Sequence, residues 1–296
     1  MISVIITSFN EAGIIGRAIE GILSNDFKQK YELIVAAPDT DTQKVVERYS
    51  KKHKHIKYFK DQGRGKANAL NELFKIVKGD VLVLTDGDVV VGRHALKPLL
   101  DMFAEKIVGC VSGRPVATNP KRMMLGYFSH LLLDAGAHRI RAEQDRKEGF
   151  IECSGYLFAF RNGLVKEIVT DVAEDTVIPY LIWKQGYRIR YAPSARVYVK
   201  YPMNLRDFIR QRKRATAGSH AKLTKYYPDF PKVKTFWNEV RKGSLWALRY
   251  PRTFEELSWT FLLFFIRLYI WFSYYFEASV RKKEYGDAWE RIESTK

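Results

Sequence analysis

The chain has 296 residues, 46% of them hydrophobic, and carries 50 lysines and arginines against 33 acids for a net charge of +17. This composition excludes a disordered, collagenous or disulfide-framed chain and leaves one large domain, or a domain with an appendage. Two cysteines, Cys110 and Cys153, lack metal-ligand spacing and read as reduced, buried thiols. The positive excess asks for an anionic partner: nucleic acid, a phosphorylated small molecule or an acidic membrane face.

The apolar start Ser3–Phe9 has no basic leader and no small-residue cleavage site, so it reads as a first strand and not as a signal peptide. Residues 11–24 place apolar side chains at helical spacing and predict a helix. A second strand is expected over Glu32–Ala37, then the acidic turn Pro38-Asp39-Thr40-Asp41 and a helix over 42–53. Ile56–Lys60 predicts a third strand, 65–79 a helix and Val81–Asp86 a fourth strand. Aliphatic strands that alternate with helices and lack polar alternation are buried on both faces, so the expected class is α/β with a mostly parallel central sheet flanked by helices.

Beyond Gly92 the alternation weakens. Helices are expected over 94–105, over a long stretch at 121–144, and over 174–186. Residues 108–117 read as a strand pair or edge, and 153–162 and 188–202 as strands. Residues 204–223 form a strongly basic helix, read either as a phosphate-binding or nucleic-acid-binding element or as a solvated face.

The segment 257–276 is aromatic and aliphatic, with Arg267 its one interior charge. Its length is close to the roughly 20 residues that span a bilayer. A central arginine costs about 2.5–3.5 kcal/mol on insertion scales, and Trp and Tyr recur along the segment and not only at its ends. A membrane span, an interfacial helix and an aromatic helix docked on the protein all stay open, with membrane contact favoured.

In a parallel α/β sheet, ligands bind outside the carboxyl ends of the strands. Three polar turns fall at such ends: Thr7-Ser8-Phe9-Asn10-Glu11, Pro38-Asp39-Thr40-Asp41 and Asp86-Gly87-Asp88. Each alone reads equally as a turn or helix cap. The pair Asp86 and Asp88 follows a run of strand-forming aliphatics, and two carboxylates so spaced suit a hard divalent cation that leaves positions for phosphate oxygens. Lys66, in a glycine-rich entry to a helix, suits an anion but lacks the spacing of a Walker loop. Glu174 and Asp175 open a helix, where acids complement the dipole or serve as a general base. The six histidines form no metal cluster; His220, just past the basic run, reads as unspecialised.

Taken in order, SVIITSFNE, GRGKANALNE, LTDGDV, CSGYLFAFRN, AEDT and QRKRA resemble the motifs of the family-2 glycosyltransferases over residues 1–220. The last two resemble the subset that includes cellulose and hyaluronan synthases and relatives acting on lipid or glycan acceptors. The resemblance implies a nucleotide-sugar-binding GT-A (Rossmann-like) domain over 1–220, and a basic, aromatic, membrane-associated helical region over 221–296. It implies that Ser8 and Glu11 lie by the nucleoside, with Thr7 in the same nucleotide-sugar site, and Lys66 near the base or phosphates. Asp86 would sit nearer the ribose and Asp88 on Mg2+ or Mn2+. Asp175 would be the general base with Glu174 beside it, while Gln211 and Arg214 would face the departing diphosphate.

Two departures stand out. The family's acidic pair after the second strand is replaced by Ala36-Ala37-Pro38, so the base is not fixed, and Asp39 serves only if the turn is one residue shorter. The tryptophan of Q-x-x-R-W is Ala215, which favours single addition over processive polymerisation. The expectation is an inverting transferase using a UDP-sugar, with GDP-sugar as the alternative donor. Its acceptor would be lipid-linked or a membrane-proximal glycan, at the cytoplasmic face of an acidic membrane. No nucleic-acid partner is expected; the rival readings are a nucleic-acid-binding protein using 204–223 and a nucleotidyltransferase-like enzyme.

Overall fold

A computed structural model describes residues 1–26, 29–217, 221–231 and 236–279. The chain forms two compact units, one from Met1–Pro115 and Arg141–Val199, the other from Val116–Ile140 and Lys200–Lys296.

The first unit is built on a sheet of eight strands: β1 (Ile2–Thr7), β2 (Tyr31–Ala37), β3 (Ile56–Lys60), β4 (Val81–Asp86), β5 (Val90–Val91), β6 (Val108–Ala117), β7 (Leu157–Arg161) and β8 (Arg188–Val199). Their order is β3-β2-β1-β4-β7-β6-β8-β5. The first four are parallel, with Thr7 level with Ala36 on one side and Asp86 on the other. From β4 onward the sheet is mixed, with β7 antiparallel to both β4 and β6. The parallel half follows from sequence: every residue of β1 is buried, including Val4, Ile5 and Ile6, because helices cover both faces. Full burial of one such side chain is worth about 1.5–3 kcal/mol.

Helices α1 (Ile15–Leu23), α2 (Thr40–Lys52), α3 (Lys66–Leu73) and α4 (Leu96–Asp101) connect these strands. On α1, Ile15, Ala18, Ile19 and Ile22 recur at helical spacing and are buried. The helix begins four residues later than its apolar pattern suggests, because 11–14 form a turn after Asn10, whose φ is +55°. Likewise Thr40 and Asp41 are the first residues of α2, not of the turn before it, with Asp39 as N-cap. Helix α3 stops at Leu73, well short of Gly79. Strand β6 is a single strand interior to the sheet, where a strand pair or edge was expected, because β7 and β8 pair on its two sides.

The stretch expected as one long helix divides into α5 (Met124–Leu131), a π-helical stretch (Leu132–His138) and α6 (Arg139–Arg146). Helix α7 (Glu174–Lys184) belongs to the first unit. The second unit holds α5, α8 (Leu205–Ala217), α9 (Ala221–Tyr226), α10 (Phe236–Asn238), α11 (Ser244–Leu248) and α12 (Phe254–Ser279). Its core joins Tyr127, Phe128 and Leu131 of α5 to Phe208 of α8 and to Leu263, Ile266 and Ile270 of α12. The basic run expected as one helix to residue 223 is α8 to Ala217 and then α9 from Ala221; His220 lies outside the described residues.

Candidate active site

The carboxyl ends of β1, β2 and β4 meet at one edge of the sheet. Thr7 and Ser8 are buried there, and the Ser8 hydroxyl donates to Glu11 Oε2 at 3.0 Å. Asp39 ties the second turn to the first: its Oδ1 accepts the Thr42 N–H at 2.8 Å and its Oδ2 the Asn10 N–H at 3.0 Å. Burial alone would raise the Asp39 carboxyl, but these N–H donors outweigh it and hold it below the ordinary aspartate value. Ala36 and Ala37 are buried, so this part of the edge offers no acidic side chain.

The Asp86-Gly87-Asp88 turn lies beside Thr7, whose carbonyl accepts the Gly87 N–H at 2.8 Å. A Cβ on Gly87 would fall 2.6 Å from Glu11 Oε2 and 2.8 Å from the Ser8 hydroxyl. Glycine at this position lets the first and fourth strand ends close on each other.

Lys66 is the first residue of α3, which follows Gly65 at φ +98°, and its side chain is 7% exposed. Its Nζ donates to Asp86 Oδ1 at 2.5 Å and pairs with Glu174 Oε1. Desolvation disfavours the ammonium, yet the two carboxylates outweigh it and hold Lys66 charged, well above the ordinary lysine value. The acids move the other way. Desolvation, reinforced by Asp88 and Asp175, raises Asp86 despite Lys66. Desolvation, reinforced by Asp175 and Asp86, likewise raises Glu174. Two carboxylates thus contact the Lys66 ammonium, and Asp88 and Asp175 lie near enough to act on them through space.

Asp175, next on α7, is partly exposed where Glu174 is buried. Its Oδ2 accepts the Gly155 N–H at 2.9 Å, and its backbone carbonyl accepts the Cys153 N–H at 3.1 Å. A Cβ on Gly155 would approach Asp175 Oδ2 to 3.2 Å. Cys110 and Cys153 are both buried free thiols, as expected.

The first unit therefore gathers Lys66, Asp86, Asp88, Glu174 and Asp175, with Thr7, Ser8, Glu11 and Asp39 along the same edge. Gln211 and Arg214 belong to α8 of the second unit, where both are half-buried. The neighbouring Arg212 donates to Gln211 Oε1 at 3.3 Å, and its guanidinium lies over the Tyr201 ring. Sequence reasoning did not foresee the Lys66–Glu174 pair or the Gly155 N–H on the Asp175 carboxylate; the glycine of CSGYLFAFRN was the available signal for the second. Among the described residues, no group of three or more His, Cys, Asp or Glu side chains is placed to hold a metal ion.

Residues 1–218 match the family described as glycosyltransferase like family 2. The chain is 24% identical over 270 residues to poly-beta-1,6-N-acetyl-D-glucosamine synthase of Staphylococcus epidermidis, covering 88% of this chain and 63% of that protein. It is 25% identical over 241 residues to the synthase of the same name from Staphylococcus aureus strain MSSA476, covering 79% of this chain and 58% of that one. The chain thus spans about three-fifths of the length of these curated relatives. Among solved structures, it resembles the mannosyltransferase PcManGT from Pyrobaculum calidifontis in complex with GDP-Man and Mn2+. The TM-score is 0.61 at 22% identity, covering 88% of this chain and 73% of that one, a likeness of fold.

Proposed function

The chain belongs to glycosyltransferase family 2, and we propose that it moves one sugar from a nucleoside diphosphate to a hydroxyl of a lipid-linked or membrane-proximal glycan, with inversion. The observation that carries this reading is the acidic cluster beside Lys66 at the strand ends, in which Glu174 is buried and Asp86, Asp88 and Asp175 are partly exposed.

Asp175 takes the role of general base. Its carboxylate accepts the proton of the acceptor hydroxyl as the oxygen attacks the anomeric carbon, and the Gly155 N–H fixes which oxygen stays engaged with the protein. Glu174, buried against Lys66, orients the cluster and does not meet the acceptor. Thr7, Ser8, Glu11 and Asp39 line the nucleoside side. Gln211 and Arg214 are assigned to the leaving diphosphate, where a guanidinium makes two parallel bonds to phosphate oxygens.

The fold's relatives imply a divalent cation, and the donor set here fits one. Asp86 and Asp88 offer hard oxygens close enough to repel each other, and Mg2+ is commonly held by one or two carboxylates with substrate phosphates completing the shell. Two acids in place of a three-ligand cage suit that arrangement. When bound, Mg2+ or Mn2+ supplies charge neutralisation for the departing diphosphate.

The motif resemblance supports a UDP-sugar, and the solved neighbour, whose complex contains GDP-Man, supports a GDP-sugar. Functionally, residues 1–220 are assigned to catalysis, and 221–296 to holding the enzyme at the cytoplasmic face of an acidic membrane. Helix α12 supports that placement: 254–277 is long and apolar enough to cross a bilayer, with mean hydropathy 1.3.

The test is thermal stabilisation by a panel of UDP- and GDP-sugars with Mn2+ or Mg2+. One donor should raise the melting temperature only with metal, and Asp88→Ala should abolish that rise. No response to any of these sugars would sink the donor assignment.

A further inference from the structure

Both faces of α12 are largely apolar, and they differ in what covers them. Inward, Thr260, Leu263, Ile266, Ile270 and Trp271 are buried. Outward, Phe261, Phe265, Leu268, Phe272 and Phe276 recur every three or four residues, and Phe265 and Phe272 are each 69% exposed. Between Phe261 and Phe276 the one charged residue is Arg267, and it lies on the inner side.

That inner side is tied to the protein by polar bonds. Arg267 donates to both oxygens of Glu239 at 2.6 Å, and the Trp271 indole donates to Glu239 at 2.9 Å. The Thr260 and Tyr127 hydroxyls meet at 2.6 Å. Lys213 of α8 reaches Ser273 at 3.1 Å and Glu277 at 2.6 Å. For α12 to cross a bilayer it would have to break these bonds or carry Glu239 and Lys213 into hydrocarbon with it, and unpaired charge there is strongly disfavoured.

We propose that α12 lies in the plane of an acidic membrane surface, with its outer aromatic face in the boundary between headgroups and acyl chains, and that it does not cross the bilayer. This rests on the membrane-proximal part of the proposed function and specifies its geometry. An apolar helix face presented to that boundary sinks about 5–10 Å into it, and here the opposite face is covered by the protein's own core. Charge selects lipid over a second copy of the chain. The sequence of the second unit carries 23 lysines and arginines against 11 acids, so two copies brought face to face would repel, whereas anionic headgroups would not. Arg206, Arg210, Arg249 and Arg252 are exposed in the same unit as the aromatic face.

The full chain is floated with vesicles of phosphatidylcholine mixed with phosphatidylglycerol, whose anionic headgroups attract basic segments, then washed with alkaline carbonate. The wild type should float and be released by carbonate. Phe265→Glu with Phe272→Glu should lose roughly tenfold in vesicle partitioning, since each removes an apolar anchor. Far-UV circular dichroism checks that the double variant folds, and Phe265→Ser with Phe272→Ser replaces it if it does not. Carbonate-resistant retention would mean a span and overturn the proposal. So would equal flotation of wild type and variant, or failure to float with a lipid-insensitive dimer in its place. Donor stabilisation is read on the same preparation: if it persists without flotation, the in-plane helix falls and the transferase reading stands. If flotation persists without donor stabilisation, the reverse holds.

Discussion

At the scale of single residues, Lys66 joins the buried Glu174 carboxylate to the half-buried Asp86, and its removal leaves Glu174 in low dielectric without that cation. Lys66→Met is therefore expected to destabilise the fold by about 3–5 kcal/mol, as breaking one member of a buried pair does; urea denaturation reads this directly. Gly87→Ala drives a methyl group into Glu11 and Ser8 and is expected to cost about 1–3 kcal/mol by overpacking. Because the displaced groups are those assigned to the nucleoside in the proposed function, it should also weaken donor binding, measured by titration calorimetry. The residues of this site were legible as types and spacings: the aspartate pair behind a strand, a lysine at a helix start, an acidic pair opening a helix. Their pairing was not. Lys66 looked like an anion ligand because a helix N-terminus favours anions. What redirects its ammonium is the arrival of α7 from more than a hundred residues downstream, which brings Glu174 against it.

At the scale of elements, Glu239 joins the π-helical stretch Glu239–Gly243 to α12. Burial raises its carboxyl, but the Arg267 and Trp271 donors outweigh this and hold it below the ordinary glutamate value. A carboxylate depressed in the folded state contributes stability above its unfolded pKa, about 4.3, and loses it as pH falls through the folded value. Acidification below about pH 5 should therefore loosen this unit progressively, read by the fluorescence of the buried Trp271. In Glu239→Gln that acid limb should be shallower, with lower stability at neutral pH. The apolar period of α12 and its lone arginine could be read in the sequence, but the partner of that arginine, 28 residues earlier, could not. The limits read for β3 and β4 match the structure, whereas β1 ends at Thr7, short of the expected Phe9, because Ser8 already belongs to the turn. Boundaries drifted where capping decided them, at Asp39 before α2 and after Asn10 before α1.

At the scale of the whole molecule, a net charge of +17 supports two partners that composition alone could not separate, nucleic acid and an anionic surface with a nucleotide-sugar site. The two differ in what carries the affinity. Nucleic-acid binding through the basic residues of α8 would be driven by counterion release, and with 6–10 phosphate contacts would fall by about 10³–10⁵ between 50 and 200 mM salt. The proposed sugar-nucleotide binding at Asp86 and Asp88 would be held by few charges at half-buried residues and should change far less over the same range. Part of the basic run is also already engaged within the protein, Lys213 by Glu277 and Arg212 by the Tyr201 ring. The expected outcome is donor binding that survives 200 mM salt and is lost in Asp88→Ala. Any shift of labelled DNA or RNA should be weak, independent of sequence, salt-abolished and unchanged by that substitution. Tight, sequence-selective nucleic-acid binding that Asp88→Ala leaves intact, in a protein indifferent to every nucleotide sugar, would reverse the assignment, because the carboxylate cluster would then have no ligand to explain its excess of negative charge.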